Sequence, residues 1–129
     1  MKTGDMEHKH FFEPTSLQAL TDRTLAILAG TPHKIAYSHF PVPQSAMTHL
    51  SKYLSPLKIL YPALQKHGCE LYLGVVRFGD LHGTKKRIEA AKKLAPEFGV
   101  ATECGWGRTP PEEIEETMRL LAEVSEPVW

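Results

Sequence analysis

The stretch Phe98-Gly-Val-Ala-Thr-Glu-Cys-Gly-Trp-Gly-Arg108 decides the fold that we predict for this chain. Its pattern predicts a short buried strand, residues 100–103, that ends at a cysteine and passes into a glycine-rich turn carrying an arginine. The carboxyl ends of parallel strands are where α/β proteins commonly place their reactive groups. Cys104 is therefore the first candidate for a functional residue. The alternative is that Cys104 is a small buried apolar residue.

The segments on either side of this stretch alternate between helical and strand patterns. A capping box at Thr15 and Gln18 predicts the start of the first helix, and the apolar run over 71–76 is typical of a strand covered on both faces. The predicted order is a helix from Thr15, a strand over 34–40, a helical segment over 45–66 broken near Pro56, a strand over 71–76, a helix capped by Thr84, the strand ending at Cys104 and a helix capped by Thr109. This order predicts an α/β fold with a parallel sheet and right-handed crossovers.

Length and composition predict one domain and exclude several classes of partner. The 129 residues suffice for one domain, with 1–14 as a loop and 15–129 as a helix plus three β/α units. Basic and acidic residues number 15 each, which argues against nucleic acid or an anionic membrane as a partner. Two cysteines, no signal-peptide pattern and no apolar run of about 20 residues predict a cytoplasmic protein.

Two charged or apolar patterns on the predicted helices have simple structural interpretations. We expect the basic run over 85–87 to be a solvated helix start. Ile114, Met118, Leu121 and Val124 recur at helical spacing, so we expect Met118 to lie in the core.

Five segments of the chain resemble one protein family, and the resemblance runs nearly from end to end. The family is the single-domain branch of the cobalamin-independent methionine synthase and uroporphyrinogen decarboxylase-like superfamily. The segments are His8-Lys-His-Phe-Phe-Glu-Pro14, His39-Phe-Pro-Val-Pro43, Glu70-Leu-Tyr-Leu-Gly-Val-Val76, Gly83-Thr84 with Arg87-Ile88, and the opening stretch at 98–108. The resemblance implies a partial (β/α)8 TIM barrel of three parallel strands, equivalent to strands 6–8, with flanking helices.

The resemblance also implies a zinc site and a methyl-transfer reaction. Cys104 matches the cysteine ligand at the end of the eighth strand, where zinc holds the acceptor thiol as a thiolate for attack on a methyl group. His39 matches the position of a glutamate ligand at the end of the sixth strand, and a barrel-lining histidine with an ordinary hydrogen bond is the alternative. Residues proposed to shape the substrate pocket are Gly105, Trp106, Gly107 and Arg108.

The chain departs from the family pattern in its ligand set. The family has a His-x-Cys pair just before a Gly-Asp that matches Gly4-Asp5, and Lys2 occupies the cysteine position here. Two of the four expected ligands are therefore absent. We expect a zinc-dependent thiol methyltransferase fragment that is inactive until the missing half of the barrel, from another polypeptide or from self-association, completes it. Its small-molecule partners would be a thiol and a methyl donor.

Two other functions fit the same residues. A diverged barrel fragment without catalysis would serve as a structural or interaction module, because unpaired strand edges favour association. A metal-free, decarboxylase-like barrel piece would use Arg77 and Arg108 to bind substrate carboxylates. Zinc content and loss of zinc on Cys104→Ala separate the first function from these two.

Overall fold

A computed structural model of the chain describes residues 5–6, 9–10, 16–103 and 109–125. Within the segment predicted as a loop, β1 (Asp5–Met6) pairs with β2 (Lys9–His10) as a short antiparallel ladder. The predicted cap at Thr15 lies outside the described residues.

The remaining elements follow the predicted order of one helix and three β/α units. They are α1 (Gln18–Gly30), β3 (Tyr37–Pro41), a 3-10 helix (Gln44–His49), α2 (Leu50–Leu54), α3 (Leu57–Lys66), β4 (Glu70–Val76), α4 (Leu81–Lys92), β5 (Gly99–Thr102) and α5 (Pro111–Val124). The break near Pro56 is confirmed, since α2 ends and α3 begins on either side of it. No helix in the described part of the chain combines the length and apolar character needed to cross a membrane.

Strands β3, β4 and β5 form a parallel sheet in the order of the chain. The α/β class with three parallel strands and flanking helices is therefore confirmed. In a sheet of this order, right-handed crossovers place the connecting helices on one face. The burial of alternate residues agrees with that arrangement, because Phe40, Leu71 and Leu73 are buried while Tyr37 on the other face is 62% exposed.

We call the first of these faces the covered face and the second the open face. The covered face carries Phe40, Leu71, Leu73 and Val75, and it packs on the helices through an apolar core that includes Leu57, Leu60 and Leu64. The open face carries Tyr37, His39, Tyr72, Gly74 and Gly99, which share one side of the sheet by register. The prediction that β4 is covered on both faces holds for Leu73 to Val76, whereas Glu70 is exposed and Tyr72 half-buried.

Several local predictions were wrong. The N-cap of α5 is Pro110 rather than the predicted Thr109. Helix α4 begins at Leu81 rather than at Thr84, because the Asp80 carboxylate accepts a hydrogen bond from the Gly83 amide at 3.0 Å and so caps the helix. Met118 is 54% exposed rather than in the core. The buried side of α5 is turned toward Thr117, whose hydroxyl donates to the Glu113 carbonyl oxygen at 2.8 Å and is thereby satisfied.

Candidate functional site at the carboxyl edge of the sheet

His39 is the predicted site residue that the structure describes. It lies on β3 at the open face, in register with Tyr72. The predicted ligand Cys104 and the predicted pocket residues lie outside the described residues; the pocket residues are Gly105, Trp106, Gly107 and Arg108. The last described residue before them is Glu103.

The His39 side chain reaches across the middle strand toward the carboxyl edge of the sheet. A Cβ atom built on Gly74 would lie 3.1 Å from the Nε2 atom of His39. Gly74 is in register with Pro41, two residues beyond His39 on β3. The imidazole therefore leans along its strand toward the carboxyl end and lies over β4.

The end of β5 approaches the same point from the opposite side. The Cβ position on Gly74 is 2.8 Å from the Glu103 Cα atom and 2.9 Å from the Thr102 carbonyl oxygen. The ladder between β4 and β5 shifts register between Leu73 and Val76, next to this approach. Gly74 thus brings together a side chain from β3 and the backbone that immediately precedes Cys104 in sequence.

A weak ion pair lies at this edge. The Arg77 guanidinium is 4.0 Å from the Glu103 carboxylate, and the two side chains are 49% and 18% exposed. An ion pair of this length and exposure contributes about 1 kcal/mol at most. Its relevance to the site is that the Arg77 cation faces Glu103, so Arg77 is engaged by this chain's own carboxylate.

The turn that follows β4 has a fixed shape. The Asp80 amide donates to the Arg77 carbonyl oxygen at 3.2 Å, and Gly79 has φ +70°. This left-handed backbone conformation favours glycine. The turn delivers Asp80 to the start of α4, where it serves as the cap.

A buried arginine under this turn was not predicted. Arg87 is 1% exposed, and its Nε atom donates to the Val75 carbonyl oxygen at 2.8 Å. Its terminal nitrogens donate to the Thr84 hydroxyl and the Asp80 carboxylate, each at 3.3 Å, and one lies 3.2 Å from the Met47 sulfur. Burial lowers the pKa of Arg87, and the charge of Asp80 partly opposes that effect.

The sequence contains a signal for this cluster that our charge-run interpretation missed. Lys85 and Lys86 are exposed as predicted, whereas Arg87 is three residues after Thr84 and seven after the capping Asp80. That spacing places all three on one side of the first two turns of α4. Because Arg87 donates to groups within this chain, the cluster joins β4, α4 and the 3-10 helix rather than presenting a cation to a ligand.

The amino-terminal half of the open face carries an aromatic pair. Tyr37 and Tyr72 meet edge to face, with ring centroids 5.7 Å apart, and the Tyr72 hydroxyl donates to the Glu70 carboxylate at 3.0 Å. That hydrogen bond, together with the negative charge of Glu70, raises the pKa of Tyr72. A Cβ on Gly99 would meet the Tyr72 ring, so the ring lies across β5.

The candidate ligands His39 and Cys104 would supply part of the ligand set that a zinc ion needs. Among the described residues, no three His, Cys, Asp or Glu side chains are grouped as a metal would require, and zinc sites use at least three protein donors. His39 over Gly74 supplies one nitrogen donor of a suitable kind, and Cys104 is a suitable sulfur donor by residue type. The remaining donors would have to come from elsewhere.

No protein-family model, curated protein or solved structure matches the chain. The functional assignment therefore depends on the motifs in the sequence and on the placement of the described residues.

Proposed function

We propose that the chain forms the part of a (β/α)8 TIM barrel that corresponds to strands 6–8 in the methionine synthase-like group. Strands β3, β4 and β5 follow one another across the sheet in chain order, and alternate strand residues are buried on the covered face. A barrel is built from such consecutive β/α units, with its helices outside and the opposite face of the sheet turned inward. The open face would then line the barrel.

The observation that carries the proposal is that the His39 side chain from β3 and the backbone at the end of β5 both lie close to Gly74. His39 reaches this point from one side and the end of β5 from the other, and it lies in the carboxyl-terminal half of the sheet, where barrel enzymes bind substrates. We assign His39 and Cys104 as two zinc ligands, with Gly105, Trp106, Gly107 and Arg108 around the substrate. Bound zinc supplies a thiolate at neutral pH by lowering the pKa of the acceptor thiol.

The proposed reaction transfers a methyl group from a small-molecule methyl donor to a small-molecule thiol. The chain itself is proposed to be cytoplasmic. The chain would act only when further strands, from another polypeptide or from a second copy, close the barrel and complete the ligand set.

Metal content of the purified chain tests this proposal. We expect the isolated wild-type chain to bind zinc only weakly, through His39 and Cys104, and cobalt substituted for zinc to give the charge-transfer absorption of a cobalt–thiolate bond. Cys104→Ala and His39→Ala should each weaken binding. Cys69→Ala is the matched control, because Cys69 is buried on the amino-terminal side of β4 and should not contribute a ligand. A chain that binds no zinc, or binds it equally well without Cys104, contradicts the proposal.

A non-catalytic interaction module is the second candidate, and one observation favours it. Tyr37 is 62% exposed on the open face, beside the half-buried Tyr72. Exposed aromatic residues are common at protein interfaces. Sedimentation of the metal-free chain distinguishes the candidates, because a module of this kind would associate without metal and Tyr37→Ser would prevent it. Association that requires zinc supports the catalytic site instead.

A further inference from the structure

The amino-terminal edge of the open face brings two aromatic rings and a carboxylate together. Tyr37 and Glu70 are the first residues of β3 and β4, and they are in register with each other. Tyr72 follows two residues after Glu70 and therefore shares its face, and its ring lies across β5 at Gly99, where a Cβ atom would meet it. This group is separate from the candidate site, which lies at the carboxyl edge of the sheet.

The two tyrosine rings form an open corner. Their planes are inclined at 77° and their centroids are 5.7 Å apart. Tyr37 is 62% exposed and Tyr72 is half-buried, so the pair is accessible from solvent. The face of an aromatic ring is electronegative and attracts a cation within about 6 Å of the ring centroid. A cation in this corner can therefore face both rings at once.

The Glu70 carboxylate adds negative charge to the corner. One of its oxygens accepts the hydrogen bond from the Tyr72 hydroxyl at 3.0 Å. Within the part of the chain that the structure describes, no lysine, arginine or histidine forms an ion pair with Glu70. The hydrogen bond and the charge of Glu70 both raise the pKa of Tyr72. The corner is therefore a region of negative potential.

We infer that Tyr37, Tyr72 and Glu70 form a binding site for a methylated ammonium group, carried by a small compound or by a methylated lysine side chain. Aromatic rings with a nearby negative charge are suited to such cations. Methyl groups weaken the hydration of the cation, whereas the ammonium group of ordinary lysine is strongly hydrated and costs more to remove from water. The inference goes beyond the proposed function and does not depend on zinc.

A comparison of two ligands tests whether charge is recognised. Choline is titrated into the full 129-residue chain, and so is the neutral dimethylbutanol in which a tert-butyl group replaces the trimethylammonium group. We expect ring currents to move the choline methyl proton resonances upfield, and choline to bind about threefold more tightly than the neutral compound. Equal affinity of the two compounds, or no binding of choline, would overturn the inference.

Two substitutions of Tyr37 test whether the aromatic face is responsible. Tyr37→Phe keeps a ring and should bind choline within about twofold of the wild-type chain, whereas Tyr37→Leu keeps only apolar volume and should bind it about two- to fivefold more weakly. Tyr37 is exposed, so both variants should fold, which circular dichroism checks. Unchanged choline affinity in Tyr37→Leu contradicts the site.

The carboxylate and the source of the ligand are tested in the same titration. Glu70→Gln should weaken choline binding by about twofold or more. The matched control is Glu89→Gln, which removes an exposed carboxylate from α4; an equal loss there would mean that net charge, and not this corner, attracts the cation. A peptide with trimethyllysine identifies the source. Tighter binding of the peptide than of choline supports a modified lysine of a partner protein, and equal binding supports a small ammonium compound.

Discussion

Two polar side chains lie near the carboxyl edge of the same sheet, on opposite faces, and their surroundings differ completely. Arg87 is 1% exposed on the covered face and donates to groups on β4 and α4. His39 is exposed on the open face and leans over Gly74 toward the end of β5. The first is enclosed by the protein and the second is accessible to a ligand.

This difference separates a structural role from a functional one. A buried charge is retained only when hydrogen bonds and a counter-charge replace its hydration, and the Asp80 carboxylate and the Val75 carbonyl oxygen do so for Arg87. The His39 imidazole, in contrast, is exposed beside Gly74. Arg87 should therefore control stability, and the open face should control binding.

The largest expected effect is the loss of stability caused by Arg87→Met. This change removes the Arg87 donor from the Val75 carbonyl oxygen and the cation from Asp80, and it leaves the Thr84 hydroxyl with the bond from the Arg77 amide. We expect the free energy of unfolding to fall by about 3 kcal/mol, as for removal of one partner from a buried polar cluster. Urea denaturation followed by circular dichroism measures the loss. The control is the exposed neighbour Lys86→Met, which should change stability by less than about 0.5 kcal/mol; similar values for both variants would refute the structural role.

The next largest effect compares the two glycines of the open face. Gly74→Ala should lower the free energy of unfolding by about 2 kcal/mol, because its methyl group meets the backbone at the end of β5. Gly99→Ala should lower it by about 1 kcal/mol or less, because the Tyr72 ring can rotate away. Denaturation of both variants under one condition gives the difference. A larger loss at Gly99 would show that the ring, and not the backbone approach, is the stricter constraint.

A smaller effect separates the charge of Asp80 from its capping hydrogen bond. Asparagine caps helices about as well as aspartate does, so Asp80→Asn keeps the bond from the Gly83 amide. It removes the counter-charge of Arg87 together with the hydrogen bond that the second carboxylate oxygen accepts from Arg87. Since Asp80 is 28% exposed and Arg87 keeps its other acceptors, we expect a loss of about 1 kcal/mol. The same denaturation experiment measures it. A loss as large as that of Arg87→Met would mean that the ion pair dominates the cluster.

The sequence predicted the elements of the fold better than it predicted the contacts between them. Apolar periodicity and turn residues are local signals, so the order of one helix and three β/α units was recoverable. The burial of Arg87 was not, because a basic run has the same pattern whether its last residue faces water or the sheet. The prediction for Met118 failed because α5 buries its neighbour Thr117 instead. Thr117 can be buried because its hydroxyl donates a hydrogen bond to the Glu113 carbonyl oxygen.

The candidate site was only partly predictable. His39 could be placed on a face by alternation along β3, but its reach over β4 depends on the absence of a side chain at Gly74. A glycine inside an apolar strand is itself a signal of close backbone approach, and that signal could have identified Gly74. The register shift that brings Glu103 next to it depends on pairing between distant segments, which no local pattern encodes.

The smallest expected effect concerns the amino-terminal half of the open face, where Tyr72 donates to Glu70. The hydrogen bond and the charge of Glu70 raise the pKa of Tyr72 above its ordinary value, because both favour the neutral phenol. The folded pKa therefore exceeds the unfolded one. The stabilisation is fully present below the unfolded pKa of about 10 and is lost as pH rises through the folded value.

Glu70→Gln should accordingly move the pKa of Tyr72 back toward its ordinary value, because it removes the negative charge. Absorbance of tyrosinate at 295 nm measures the shift, with Tyr72→Phe identifying the contribution of Tyr72 among the four tyrosines. Tyr37→Phe is the control, since Tyr37 is the weakest of the causes that raise this pKa. A pKa that responds to Tyr37→Phe more than to Glu70→Gln would mean that the aromatic contact, and not the carboxylate, organises this part of the open face.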